Sequence, residues 1–126
     1  MSERRSADRL KLNGEIEGRV EFGYPNPAGH ACEMKIRDIS ASGIGFLVDE
    51  ELPGLEVGRI LEGVTVRIGR RSVRGDLVVM HLTDGRPTDA FCGAMFCPTS
   101  DEDILRLREV LHELRSGQDD RDGEAA

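Results

Sequence analysis

From Leu10 to Phe22, apolar or small residues alternate with polar ones without a break. Leu10, Leu12, Gly14, Ile16, Gly18, Val20 and Phe22 take one side, and Lys11, Asn13, Glu15, Glu17, Arg19 and Glu21 the other. Period two over this length predicts one long half-buried strand, with its glycines marking bends along a barrel wall. Tyr24-Pro25-Asn26-Pro27-Ala28-Gly29 is a loop by its Pro, Asn and Gly content. Cys32, Met34 and Ile36 then alternate against Glu33, Lys35 and Arg37; residues 38–43 interrupt the pattern, and Ile44, Phe46 and Val48 resume it. After a loop around Pro53-Gly54, Val64, Val66 and Ile68 form the next strand. Gly69-Arg70 reads as a tight hairpin turn into Val73, Gly75, Leu77 and Val79, with Leu82 beyond. Residues 83–88 make another turn, and Ala90 to Phe96 a last short strand.

The period then lengthens to that of a helix. Thr99-Ser100-Asp101-Glu102 fits a capping box, with acidic residues in the first turn where the helix dipole favours them. Ile104, Leu107, Leu111 and Leu114 recur on one face, flanked by Leu105 and Val110, and Arg115 and Gly117 close the helix. Residues 118–126 are acidic and hold no large apolar side chain, which predicts a disordered tail. Five to seven antiparallel strands followed by one amphipathic helix make an all-β domain with a C-terminal helix, a small barrel on whose sheet or open end the helix rests. The predicted organisation is a flexible arm over 1–9, a barrel with its helix over 10–117, and the tail over 118–126.

Composition narrows the function. At 126 residues the chain is long enough to bury a single core, and with one Tyr, four Phe and no Trp that core must be aliphatic. A net charge of −7 argues against a sequence-independent grip on DNA or RNA, which rests on many phosphate contacts. The basic residues are local: Arg4, Arg5 and Arg9 at one end, and Arg67, Arg70, Arg71 and Arg74 around one turn. A small anion suits them better than a long polyanion. Cys32, Cys92 and Cys97 sit among apolar or small neighbours, as buried thiols in a reducing cytosol do. No apolar stretch follows the N-terminal arginines and no run approaches a membrane span, so neither export nor membrane insertion is expected, and a cytoplasmic location is.

Two short motifs carry candidate chemistry. Arg5 and Arg9 stand with three residues between them, and Asp38-Ile39-Ser40-Ala41-Ser42-Gly43 reads D-x-S-x-x-G between two alternating runs. Arginine forks bind phosphate oxygens and the Hoogsteen edge of guanine. A carboxylate accepts from guanine N–H donors, a hydroxyl donates or accepts, and a glycine admits close approach. Each motif also has a plain structural reading. The arginines can solvate a terminal arm, Asp38 or Ser40 can cap a turn, and Gly43 can serve a positive φ.

In order and spacing the two motifs, the strands around them and the closing helix resemble the PilZ domain family, bacterial receptors for cyclic di-GMP. The resemblance covers essentially the whole chain apart from the tail. It implies a six-stranded antiparallel barrel of split-barrel type with a C-terminal helix. It also implies that Arg5 and Arg9 clamp phosphate and guanine, that Asp38 and Ser40 hydrogen-bond a guanine, and that Gly43 leaves room for it. Arg4, just before the motif, corresponds to an extra arginine that in some members stacks on a guanine and favours a self-stacked pair of ligands. Gly93 and Phe96 resemble the family's last strand, a structural element. Where many members have Gly-Gly or a larger residue after the serine, this chain has Ala41-Ser42-Gly43, which adds a hydroxyl beside the expected guanine. The implied function is a cyclic di-GMP receptor, not an enzyme, that passes the second-messenger level to an effector protein in motility, attachment, polysaccharide or virulence output. The alternative is a nucleotide-independent interaction adaptor on the same fold; the arginines, which such members often lose, speak against it.

Other constellations are weaker. His30 with Cys32, and Cys92 with Cys97, lack the paired close spacings of a zinc site. His81 and His112 have no nucleophile spaced to form a triad, and nothing near Ser40 would activate it. The sequence therefore points to no metal, no cofactor and no catalytic residue. The Arg67–Arg74 cluster reads as a solvated hairpin.

Overall fold

In the computed structural model, residues 9–12, 16–83 and 90–125 are described, the last nine as backbone. Seven strands form: β1 (Leu10–Lys11), β2 (Gly18–Tyr24), β3 (His30–Ile39), β4 (Gly43–Val48), β5 (Ile60–Ile68), β6 (Arg71–Leu82) and β7 (Ala90–Pro98). A single helix, α1 (Asp101–Ala125), follows them. Every pairing is antiparallel, and β3-β2-β5-β6-β7-β4 closes back on β3 as a six-stranded barrel. β1 pairs with β3 outside that circuit, through Leu10↔Ile39 and Lys11↔Asp38. None of the described helices is long and apolar enough to cross a membrane.

The alternation places the core as the sequence reading expects. Val20, Met34, Ile36, Ile39, Ile44, Phe46, Leu61, Val64, Val66, Val73, Leu77 and Val79 are fully buried. Aliphatic residues dominate, with Phe22 packed at a tilt on Phe46 and edge-on to Tyr24. The Gly69-Arg70 turn joins Ile68 to Arg71 as a two-residue hairpin. Gly69 has φ +59° and no non-glycine residue among those described has a positive φ, so the left-handed demand falls on the first turn position, where glycine stands.

Four expectations are corrected. The single strand expected from Leu10 to Phe22 is two, because the stretch changes partners: β1 pairs with β3 alone, whereas β2 lies between β3 and β5. Asn13, Gly14 and Glu15 lie outside the described residues. The helix cap is one residue later than expected. Ser100 Oγ accepts the Asp103 N–H at 3.0 Å and donates to Asp103 Oδ2 at 2.6 Å, so Ser100 and Asp103 form the reciprocal pair. Asp103 also accepts the Arg74 N–H of β6 at 3.0 Å, which fastens the first helical turn to the barrel. The buried helical face is Leu107, Val110, Leu111 and Leu114; Ile104 falls at the edge of that stripe and is exposed. The fourth concerns the helix end: closure was expected at Gly117, and the backbone is helical through Ala125.

The arginines of the β5–β6 hairpin disperse. Arg67 pairs with Glu21 of β2 at 2.8 Å, while Arg71 reaches Glu109 at 3.1 Å and Glu113 at 2.7 Å on α1. These pairs are exposed and add little stability; those of Arg71 link the hairpin to the helix. Cys92 is buried, and burial pushes its thiol up to about 12. Cys97, expected to be buried, is exposed: Cys92, Ala94 and Phe96 take the inward positions of β7, so the next residue faces out.

Candidate functional site

Strict alternation along β3 would aim Asp38 into the core with Met34 and Ile36. A bulge prevents this. Ile36 faces Phe46 and Asp38 faces Gly45, so Arg37 has no partner of its own across the β3–β4 ladder. One extra residue lets Ile36 and Ile39 both point inward while Arg37 and Asp38 both point out. The carboxylate is nevertheless half enclosed: Asp38 is only 8% exposed, lying over Gly45 with the Arg9 side chain against it.

Arg9 stands just before β1 and its Nη1 donates to Asp38 Oδ1. Because Lys11 pairs with Asp38 across β1 and β3, the strand brings the end of the arginine motif to the D-x-S-x-x-G turn. Of the residues singled out in the sequence, Arg9, Asp38, Ser40 and Gly43 are therefore together. Arg4 and Arg5 lie outside the described residues.

Ser40 and Gly43 shape the turn. Ser40 Oγ accepts the Gly43 N–H at 3.2 Å and the Ser42 N–H at 3.4 Å, and the Ser40 N–H donates to the Gly43 carbonyl at 2.8 Å. The Phe96 N–H donates to the Ser42 carbonyl at 2.9 Å, tying the turn to β7. Gly43 does not have a positive φ, contrary to one plain reading of it. It is demanded instead by closeness, since a Cβ there would lie 2.7 Å from the Ala94 carbonyl oxygen.

Register shows a feature that sequence reading passed over. Asp38, Gly45, Gly93 and His81 are successive cross-strand partners on β3, β4, β7 and β6, all on the outer face. Two glycines thus floor the barrel wall between a carboxylate and an imidazole. A Cβ at Gly45 would lie 2.6 Å from Phe91 Cζ and 2.8 Å from Asp38 Oδ1, so that glycine is already covered. Among the described residues, a Cβ at Gly93 would meet nothing nearer than His81 Cβ at 3.5 Å, an ordinary contact, so there is room above it. Phe91 forms one side of the floor, and the Arg37 guanidinium lies 4.5 Å from its ring centroid. Arg37, Gly45, Phe91 and Gly93 join the site through register alone. The signal in the sequence was parity: Gly43, Gly45, Phe91 and Gly93 all occupy outward positions of strands whose inward residues are clear.

Chemically, the place offers a fixed acceptor, a guanidinium beside it, and a side-chain-free surface on which a flat group can lie. Among the described residues it holds no nucleophile with an adjacent base.

No family model and no curated relative matches the chain. Solved structures do. MrkH of K. pneumonia in complex with c-di-GMP superposes with a TM-score of 0.76 at 19% identity, over 88% of this chain and 51% of that one. The PilZ domain of YcgR from Escherichia coli with c-di-GMP gives 0.71 at 16% identity, over 90% and 94%. The Bacillus subtilis inhibitor of motility MotI gives 0.60 at 14%, over 87% and 49%. The chain spans about half the length of MrkH and of full YcgR, but nearly all of the isolated YcgR PilZ domain. Strand circuit, extra outer strand and closing helix agree with these neighbours, and the chain has the PilZ fold.

Proposed function

We propose that this chain is a receptor for cyclic di-GMP. Asp38 accepts from the N–H edge of one guanine, Arg9 and Arg5 clamp phosphate and the guanine's Hoogsteen edge, and the base lies over the open floor at Gly93. Arg4 stacks on a second guanine where two ligands bind. Ser40 and Gly43 hold the turn that presents Asp38, and the Ser42 hydroxyl flanks the base. The observation that supports this most is the Arg9–Asp38 pair set beside the glycine floor. A surface ion pair adds little stability, yet this one keeps a half-enclosed carboxylate and a guanidinium oriented next to open space. Solved neighbours that carry c-di-GMP share the fold on which the site is built. Binding orders the arginine segment against the barrel, and the new surface recruits an effector protein.

Isothermal titration calorimetry with cyclic di-GMP, with GTP and cyclic di-AMP as controls, tests this reading. Selective saturable heat is expected, reduced at least tenfold in affinity by Arg5→Ala, Arg9→Ala or Asp38→Ala. Its stoichiometry distinguishes one ligand from a stacked pair. Absence of heat from folded protein, or wild-type affinity in all three variants, refutes it and leaves the nucleotide-independent adaptor.

A further inference from the structure

At the far end of β3 from Asp38, three potential metal ligands converge. His30 opens the strand, Cys32 follows two residues later on the same side, and Glu50 lies just beyond β4. Cys32 Sγ is 3.8 Å from His30 Nε2 and 3.7 Å from Glu50 Oε1, and those two atoms are 3.5 Å from each other. The triangle has the size of a tetrahedral zinc face. Zinc lengths of about 2.3 Å to sulfur, about 2.05 Å to imidazole and about 2.1 Å to carboxylate set S···N at about 3.6 Å, S···O at about 3.6 Å and N···O at about 3.4 Å. Each observed edge is longer by only a tenth or two of an ångström.

Hydrogen bonding accounts for this arrangement less well. A thiol has one weak proton, so Cys32 cannot satisfy the imidazole, the carboxylate and the His30 carbonyl at 3.8 Å together. One cation would engage sulfur, nitrogen and oxygen at once. Their softness suits zinc or a similar borderline divalent ion, and not magnesium or calcium.

We infer that His30, Cys32 and Glu50 form a binding site for a zinc-class divalent cation at the rim of the barrel. The sulfur is buried and the other two ligands face solvent, so the ion has a route in. Three protein ligands leave a fourth position for water or a group from another molecule, as in open zinc sites. Binding replaces the Cys32 S–H bond by a sulfur–metal bond and releases that proton to solvent. Ordinarily the thiol is hard to ionise, because burial, Glu50 and Asp49 all push it up. A divalent charge reverses the effect of both carboxylates. The site is independent of the nucleotide reading: eight residues of β3, about 26 Å of extended strand, separate His30 from Asp38.

The sequence reading set His30 and Cys32 aside for lack of a second close pair. The third ligand is eighteen residues away from Cys32 and arrives through the β3–β4 pairing.

The test is titration of the full chain, reduced with a non-coordinating phosphine, first with Co²⁺ and then with Zn²⁺ in competition with a chromophoric chelator. A thiolate-to-cobalt charge-transfer band together with intense tetrahedral visible bands is expected at one equivalent, and Zn²⁺ should abolish both. Cys32→Ser removes the charge-transfer band, whereas Cys97→Ser and Cys92→Ser leave it. His30→Ala at an exposed position and Glu50→Gln at a half-buried one, both outside the core, each weaken Zn²⁺ at least tenfold. Absence of the bands in wild type, their loss in Cys97→Ser, or unchanged Zn²⁺ affinity in both exposed variants overturns the site.

Discussion

Replacing Gly93 by alanine separates what the barrel needs from what a ligand needs. At Gly93 the added methyl meets only His81 Cβ at 3.5 Å and Phe91 Cε2 at 4.0 Å, both ordinary contacts, and φ there is not positive. A glycine replaced in a compatible backbone stabilises by about 0.4–1 kcal/mol, because the unfolded chain loses freedom. Gly93→Ala is therefore expected to melt at or slightly above wild type. A base lying on the open floor would be lifted off by the methyl. Contact of a base with an aromatic ring, here Phe91 at the side of the floor, is worth about 1–3 kcal/mol, and about 1.4 kcal/mol is tenfold in affinity, so a base lifted off should bind about tenfold more weakly. Gly45→Ala is the contrast. Its methyl must displace the Phe91 ring and crowd Asp38, so overpacking of about 1–3 kcal/mol should lower stability and binding together. Thermal unfolding and calorimetric titration on the same preparations read both quantities. Wild-type affinity in a stable Gly93→Ala protein would refute the placement of the base.

Ser40→Ala removes an acceptor shared by two turn N–H groups, and should destabilise the fold by about 1–2 kcal/mol in urea unfolding; unchanged stability would leave the hydroxyl a role toward ligand alone. Asp103 is held below the usual carboxylate range, first by the Ser100 hydroxyl and then by the Arg74 N–H. Its contribution is thus present above the unfolded carboxylate value of about 3.9 and lost as pH falls through the lower folded one. The stability gap between wild type and Asp103→Asn should narrow on acidification from pH 5 toward pH 3, and a constant gap would refute the linkage. Cys97, exposed, should react with a thiol reagent at neutral pH in the native state, while Cys92, pushed up to about 12, should not react until the protein unfolds. Mass spectrometry of labelled peptides checks both.

Much of this architecture could be read from residue types because one-sided burial writes its period into the chain. Cys32, Met34 and Ile36, or Val73, Gly75, Leu77 and Val79, leave little freedom about which side faces in. Gly69 announced its hairpin for a backbone reason. The resemblance to the PilZ family grouped Arg9, Asp38, Ser40 and Gly43, and the β1–β3 pairing brings them together. What stayed hidden depends on which strand lies beside which. The split between β1 and β2 is a change of partner, invisible to a count of alternating residues. The outward turn of Asp38 comes from a bulge, hinted at only by Ile39 directly after it. Gly45, Gly93 and His81 share a row through three separate pairings, and Glu50 reaches Cys32 across a fourth. Within the helix, Ser100 with Asp103 capped in place of Thr99 with Glu102 because Asp103 could also reach the Arg74 N–H.

Arg37, unmatched across the β3–β4 ladder although its carbonyl accepts the Leu12 N–H at 2.9 Å, sets how β3 tolerates deletion. Removing Arg37 would shorten the chain by one residue without exchanging inside and outside, because Ile36, Asp38 and Ile39 would then alternate in the ordinary way. Deleting Asp38 would also keep the alternation but would remove the carboxylate, and a single deletion elsewhere inside the strand would reverse the facing of the residues on one side of it. Position 37 is therefore the place in β3 where length can change while both the core and the carboxylate keep their sides. What such a deletion would alter is the local twist, and with it the angle at which Asp38 meets Arg9. A chain shortened there would keep the chemistry of the site and lose its aim.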